Sequence, residues 1–374
     1  MELDFGNAKR EIIDRHIINQ LKTATDVIIF GAGGSGDWTA DVLRKNDITP
    51  RCYCDNSVRK QGKVHNSLDV LSFESAISRY PKASICVASM WQEEILKQII
   101  AYDPKLEERT YNLLLTMAWE TTNHIFASSE ETYIKDKLLC FEKLYHDLAD
   151  EISKKTLRGI LNYRLTRNKN YLDEIKSSEN IYMDDTIWGG GFAPNENFYI
   201  IDGGAYDGDT AEEFIEKWGD QATLHLYCFE ASRANCHFIE DKQALFYPHR
   251  IFVHNSALWD ISGCELVFSD SCLSGKITEK GSRCVVTEKI DDIDFERVDF
   301  IKLDIEGAER NCLEGARKTI EKYHPRLAIC AYHLQDDLLV LYEFIKSLHG
   351  SYDIKLRHYK DSSGDTILYG IPPK

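Results

Sequence analysis

Positive charge is what this chain has too little of. Its 374 residues carry 61 Asp and Glu against 45 Lys and Arg, a formal net charge of −16. Binding a nucleic-acid backbone needs clustered cations, so no nucleic-acid partner is expected. No apolar run approaches the length of a membrane span, so no transmembrane segment is expected. The opening segment, MELDFG, lacks the basic and apolar regions of a signal peptide, and a cytoplasmic protein is the resulting expectation. Eleven cysteines are present but no CxxC pair, which points to buried reduced thiols rather than disulfides or a zinc site. Cys52 and Cys54, two apart, share one face of a strand. The length exceeds that of a typical single domain, so two domains are expected, each with its own core.

The most informative stretch is 198–210, FYIIDGGAYDGDT, in which an apolar strand runs into an acidic, glycine-rich turn and then a helix. Gly203, Gly204 and Gly208 let backbone N–H groups approach a ligand, and Asp202 at the strand's end can hold a polar or cationic group. A second acid, Glu230, closes the next apolar strand, where a carboxylate can accept from both ribose hydroxyls. Asp202, Asp207 and Asp209 would repel a diphosphate. A sulfonium cofactor suits them better, and S-adenosylmethionine carries a positive sulfur, an ammonium and a ribose.

The segment 298–309, VDFIKLDIEGAE, resembles the fourth-strand signature of the FkbM-type family of S-adenosylmethionine-dependent methyltransferases. The 202–210 turn, Phe229-Glu230, the NSAL of 255–258, Thr287 followed by Ile290-Asp291-Asp292, the Lys302 to Glu309 motif and a strand ending in His333 stand in family order. The resemblance covers roughly residues 140–374. It implies a class I methyltransferase fold with S-adenosyl-L-methionine as cofactor. Asp202 and the Gly203-Gly204 backbone would meet its methionine end, Glu230 the ribose, and Ser256 and Ala257 the adenine, with Tyr206, Gly208 and Thr210 also in the cofactor site.

The first half has its own nucleotide-like pattern. An amphipathic helix over Ala8 to Lys22 precedes a strand from Asp26 to Phe30 and the turn GAGGSG of 31–36. The next strand, from Arg51, ends at Asp55. This is a GxGxxG between strand and helix, followed by an acid about twenty residues on, as a dinucleotide fingerprint requires. It resembles the small N-terminal nucleotide-binding domain of some sugar-modifying enzymes. A strand at Ser84 to Ser89 and a helix at Glu93 to Ala101 complete a short βαβαβ unit. Gly31, Gly33, Gly36 and Asp55 are thus either a second nucleotide or nucleotide-sugar site or a turn kept for packing. Residues 122–180 carry helical periodicity, read as connecting helices in which Tyr163, Arg164 and Tyr182 either contact an acceptor or belong to a solvated linker.

From residue 198 onward, strand and helix alternate, which predicts a mostly parallel sheet. The exception is Asp353–His358 and Thr366–Gly370, expected as an antiparallel terminal hairpin of the kind found in class I methyltransferases. Cys264–Phe268 and Cys284–Thr287 read as an extra strand pair. The fold class expected is α/β with two Rossmann-like domains: residues 1–120, a helical connector at 121–195, and a class I methyltransferase domain at 196–374. Ligands of open parallel sheets lie beyond the strands' carboxyl ends. Asp304 and His333 are therefore the candidates for removing an acceptor's proton, with Glu306 and Lys302 beside them. Asp304 and Glu306 lack a third metal ligand fixed by sequence, and no metal is expected. The reading is an O-methyltransferase acting on a hydroxyl of a sugar or sugar-containing intermediate. Its rivals are an NAD- or nucleotide-sugar-dependent enzyme working through the N-terminal turn, and a non-catalytic nucleotide sensor.

Overall fold

The computed structural model describes residues 1–7, 15–89, 91–112, 130–189, 193–268, 283–349, 352–360 and 364–373. The chain divides into two compact units, Lys9–Ser129 and a second made of Met1–Ala8 with Glu130–Lys374. No helix among the described residues is long and apolar enough to cross a membrane.

The first unit is built on β1 (Val27–Phe30), β2 (Tyr53–Cys54), β3 (Val64–His65), β4 (Leu68–Leu71), β5 (Ser84–Val87) and β6 (Thr110–Asn112), in the order β3-β4-β2-β1-β5-β6. All pairings are parallel except that of β3 with β4. Both β1 and β5 are buried at every residue, as parallel strands covered on two faces must be. The opening helix runs over Arg15–Thr23, and the expected start from Ala8 to Asp14 lies outside the described residues. The β3–β4 hairpin was not legible as strands because each is so short. Its two-residue turn places Asn66 and Ser67 at positive φ, the geometry that matches hairpin twist.

The second unit carries a seven-stranded sheet of β7 (Asn197–Gly203), β8 (Thr223–Phe229), β9 (Arg250–His254), β13 (Phe300–Leu303), β14 (Arg326–Cys330), β15 (Asp353–His358) and β16 (Thr366–Ile371). The order is β15-β16-β14-β13-β7-β8-β9, parallel from β14 through β9, with β16 antiparallel to both β14 and β15. Successive residues of the central strands go to opposite faces. Ile201, Ile301 and Ile329 enter one buried cluster, while Ile200, Phe300 and Ala328 enter the other. The central strands are accordingly apolar on both faces, apart from the paired Asp202 of β7 and Lys302 of β13. A small separate sheet joins β10 (Ala257–Leu258), β12 (Arg283–Glu288) and β11 (Glu265–Phe268), with β10 added to the strand pair expected from the sequence.

The helices of residues 130–188 do not stand apart as a connector; they pack into this second unit. Asp150 caps the helix Glu151–Thr166 by accepting from the Ser153 N–H at 2.8 Å. The same carboxylate pairs at 2.9 Å with Arg357 of β15, which is buried and also donates to Thr186 Oγ1 and Ser153 Oγ. Tyr163 is core, and Arg164 pairs with Glu130 at 2.8 Å and donates to the Gln335 carbonyl, so both are structural.

Burial raises the Asp150 carboxyl, but hydrogen bonds from Arg357 and Ser153 win and hold it well below the ordinary carboxylate range. A depressed folded-state pKa stabilises above the unfolded value, about 3.9, and the contribution is lost as pH falls through the folded value. Arg357→Leu leaves Asp150 with Ser153 and the more distant Lys355, and is expected to cost about 3 kcal/mol at pH 7 in urea unfolding. The variant should also lose part of the wild type's decline in stability below about pH 4.

Candidate active site

Strand order reverses at β7, whose neighbours are β13 on one side and β8 on the other, so the crevice opens beyond the carboxyl end of β7. Lys302 and Asp202 are direct register partners on β13 and β7. Both are buried, with Lys302 Nζ 2.8 Å from Asp202 Oδ1. The ammonium also donates to the carbonyls of Gly203 at 3.2 Å and Gly204 at 2.8 Å, and lies 5.5 Å from the centre of the Tyr182 ring. Burial pushes the Asp202 carboxyl up against the pull of Lys302. It likewise opposes the charge on Lys302, which Asp202 and Asp304 together hold above its ordinary value. With two carboxylates acting on it, the ammonium is the firmer charge of the pair.

The turn after β7 is shaped for close approach. Gly204 has φ +77, and a Cβ there would lie 1.9 Å from the Asp304 carbonyl oxygen. Tyr206 has φ +48 and is exposed; its N–H donates to Glu230 Oε2 at 3.0 Å. Gly208, at φ +88, stands at the N-cap of the helix Asp209–Trp218, in whose first turn Thr210 donates its N–H to Asp209. Glu230 follows β8 and accepts from Ser232 N–H at 2.6 Å through Oε1. Burial raises its carboxyl, and the N–H bonds of Ser232 and Tyr206 pull it back. Each oxygen keeps a lone pair for a further donor. Beyond β9, the buried Ser256 donates to Glu288 at 2.7 Å, a carboxylate shared with His254, and Ala257 begins β10.

Asp304 is the hub of the other side. Tyr182 donates to its Oδ2 at 3.1 Å, Tyr332 to its Oδ1 at 3.2 Å, and His333 Nε2 lies 3.4 Å from Oδ1. The fully buried His333 also has Glu309 Oε1 2.9 Å from Nδ1 and Glu306 Oε2 3.9 Å from Nε2. Burial disfavours the charged ring, yet the carboxylates of Glu309, Asp304 and Glu306 override it and push His333 up to about 10. Burial likewise raises Asp304, but His333 and Lys302 keep it below its ordinary value. Near neutral pH the site therefore sets the His333 imidazolium and the Lys302 ammonium against the ionised Asp304. His333 is already protonated there, which shifts proton acceptance toward Asp304.

The structure thus brings Asp202, Lys302, Asp304, Glu306 and His333 together, with Gly203, Gly204 and Tyr182 beside them. Tyr332, Glu309 and Glu288 were not read from the sequence as site residues. The signal for Tyr332 was its place immediately before His333 at the end of an apolar strand. Glu309 looks like an ordinary solvated helix-start acid, and nothing local marks it as buried.

At the N-terminal turn, packing explains two of the three glycines. A Cβ on Gly31 would meet the Ala88 carbonyl oxygen at 2.2 Å, and one on Gly36 the Gly31 carbonyl oxygen at 2.0 Å. Gly33 is open, with Lys60 Nζ 3.9 Å from its Cβ position. Asp55 accepts from the N–H groups of Ala32 and Ser57, each at 2.8 Å, and pairs with Lys60 at 2.9 Å.

A parallel sheet of this order with a reversed last strand is the class I methyltransferase fold. Residues 202–352 match the family model of the methyltransferase FkbM domain, so the second unit carries an FkbM-type methyltransferase domain. The fold is similar to that of a methyltransferase FkbM from Methylobacillus flagellatus KT, with a TM-score of 0.62 and 23% identity over 95% of this chain and 92% of that one. Weaker likenesses include a precorrin-6y C5,15-methyltransferase from Geobacter metallireducens, with a TM-score of 0.31 and 14% identity over 48% of this chain and 82% of that one. An rRNA methylase from Streptococcus thermophilus gives a TM-score of 0.32 and 12% identity over 48% of this chain and 87% of that one. No curated protein matches the chain.

Gly204→Ala tests the close approach of the turn to β13. It is expected to lower stability by at least about 2 kcal/mol, since backbone strain and a clash with fixed backbone combine. Gly62→Ala is the control. Gly62 has the same φ of +77 with nothing within 4 Å, so its alanine variant should lose only about 1 kcal/mol by the same denaturation.

Proposed function

We propose that this protein is an S-adenosyl-L-methionine-dependent O-methyltransferase acting on a hydroxyl of a sugar or sugar-containing biosynthetic intermediate. The observation that carries the cofactor assignment is the chemistry of the donor set. Asp202 is fully buried and its Oδ2 has no hydrogen-bond partner among the described residues, which suits a cationic ammonium donor. Glu230 stands one strand away with acceptor capacity for ribose hydroxyls, and Ser256 and Ala257 lie beyond it for the adenine. Such a cofactor, when bound, supplies a methyl group already activated by a positive sulfur.

The chain's own residues then have three tasks. The Lys302–Asp202 pair fixes the glycine turn through the Gly203 and Gly204 carbonyls. Asp304, ionised and held by Tyr182 and Tyr332, accepts a hydrogen bond from the acceptor hydroxyl and takes its proton as the carbon–oxygen bond forms. The His333 imidazolium keeps Asp304 ionised and oriented. The sugar class of the acceptor rests on likeness of family, supported by the polar, hydroxyl-bearing surround of Asp304. A rival enzyme working through the N-terminal turn has less support, because the Asp55 oxygens already accept from Ala32, Ser57 and Lys60.

Calorimetry with S-adenosylmethionine is expected to show one site per chain of micromolar affinity. Glu230→Ala should weaken it by about 1.5–3 kcal/mol, the range for hydrogen bonds to a charged group. Asp304→Asn should slow single-turnover transfer of labelled methyl to a glycoside panel by roughly 10²-fold or more, with cofactor affinity little changed. Absence of cofactor binding, or preference for NAD, contradicts the reading.

A further inference from the structure

Glu309 is a buried acid that the proposed methyl transfer does not use. It opens the helix Glu309–Gly315 and is 1% exposed, yet its Oε2 has no hydrogen-bond partner among the described residues. Burying a carboxylate with one oxygen unserved is costly unless a cation stands against it. The cation is His333, whose Nδ1 lies 2.9 Å from Glu309 Oε1. That same oxygen accepts from the Ile305 N–H at 2.9 Å, the peptide directly after Asp304. The turn it anchors carries Glu306 at φ +61 and Gly307 at φ +97. On the opposite side of the ring, Nε2 lies 3.4 Å from Asp304 Oδ1 and 3.9 Å from Glu306 Oε2. The ring therefore stands between Glu309 at one nitrogen and the two acids of the turn at the other.

Exposure separates the two sides. The side chains of Asp304 and Glu306 are 27% and 20% exposed, whereas those of His333 and Glu309 are 0% and 1%. An acceptor entering the crevice meets the first two and touches neither of the others. We propose that Glu309 is a positioning residue: through one oxygen it fixes the turn that bears Asp304 and holds the His333 ring, protonated and Nε2 foremost, against Asp304 and Glu306. What else faces the ring does not replace it. Asp337, at the start of the helix Asp337–His349, accepts from the Leu334 N–H and is pushed up by burial and by Glu309, so it carries less charge near neutrality than an ordinary carboxylate. Tyr332, its ring centre 4.2 Å away, is kept neutral by burial. Burial opposes the charge on the ring, and Glu309 offsets it most, ahead of Asp304 and Glu306. A neutral ring has two tautomers, and the one with its proton on Nδ1 presents a lone pair to the Asp304 carboxylate. An imidazolium held at Nδ1 leaves no such choice.

The test follows ring protonation in the full chain by two-dimensional ¹H–¹⁵N correlation, which tells an imidazolium from either neutral tautomer, with His333 assigned through its bonds to the backbone. The wild-type ring is expected to titrate at about 10. Glu309→Gln, which keeps an acceptor for the Ile305 N–H, should lower that midpoint by about one pH unit or more. Glu309→Asp keeps the charge but draws it back from the ring; it should lower the midpoint by a smaller step, and it serves if Glu309→Gln does not fold. A wild-type ring that is neutral at about pH 8, or a midpoint that the variant leaves in place, overturns the proposal. The effect on rate rests on the proposed methyl transfer. Glu309→Gln should slow single-turnover transfer by roughly tenfold or more, with S-adenosylmethionine affinity little changed, and should add an alkaline decline where its ring loses the proton. A rate profile equal to the wild type's at every pH also overturns the proposal. The two ideas fail separately. An unmoved ring in a chain that binds S-adenosylmethionine overturns the role of Glu309 alone, whereas a shifted ring in a chain that does not bind it overturns the methyltransferase reading.

Discussion

Everything at the crevice depends on the buried ion pair between Lys302 and Asp202. Two facing residues of neighbouring parallel strands, in the middle of an otherwise apolar sheet, are left charged and out of water. Such a pair is tolerated only where further hydrogen bonds satisfy it. Here the ammonium finds them in the Gly203 and Gly204 carbonyls, which bends the chain after β7 back over β13. The glycine turn is therefore fixed by a charge as well as by its own conformational freedom. The close approach of Gly204 to the Asp304 carbonyl is the geometric consequence.

From that junction the site divides into two halves of different character. On the β8 side, Glu230 is bound by backbone N–H groups and stays available to hydroxyl donors. Across β13, side chains dominate: Tyr182, Tyr332 and His333 converge on Asp304, and Glu309 supports His333 from behind. A group already protonated near neutral pH is a poor base, so His333 serves Asp304 as a fixed positive charge. The two carboxylates, Glu230 and Asp304, can then play different roles because their partners differ.

Much of this was legible in the sequence, for a physical reason. A parallel strand buried on both faces is a largely apolar run, so β8 falls at the expected residues, and an open sheet delivers the residues at its strand ends to one crevice. Legibility failed where regular alternation stops. Lys302, Asp304 and Glu306 alternate in the sequence, as residues on one face of a strand do. In fact β13 ends at Leu303 and Glu306 has φ +61, so Lys302 turns to Asp202 while Asp304 and Glu306 turn to His333. Glu309 closes the signature read from the sequence, but its burial was not legible because only tertiary packing buries a charged residue at the start of a helix. In the N-terminal unit the GxGxxG pattern was correctly placed between strand and helix, but pattern alone could not reveal that Gly31 and Gly36 serve backbone packing.

The central claim is that one crevice, beyond the carboxyl end of β7, holds a sulfonium nucleoside between Asp202 and Glu230. A crystal structure of the full chain grown with S-adenosylhomocysteine tests it most directly. The account predicts ribose hydroxyls on the Glu230 carboxylate, the amino group near Asp202 and the sulfur facing Asp304. Density for the ligand at the Gly31 to Gly36 turn instead, or a ribose with no contact to Glu230, would contradict it.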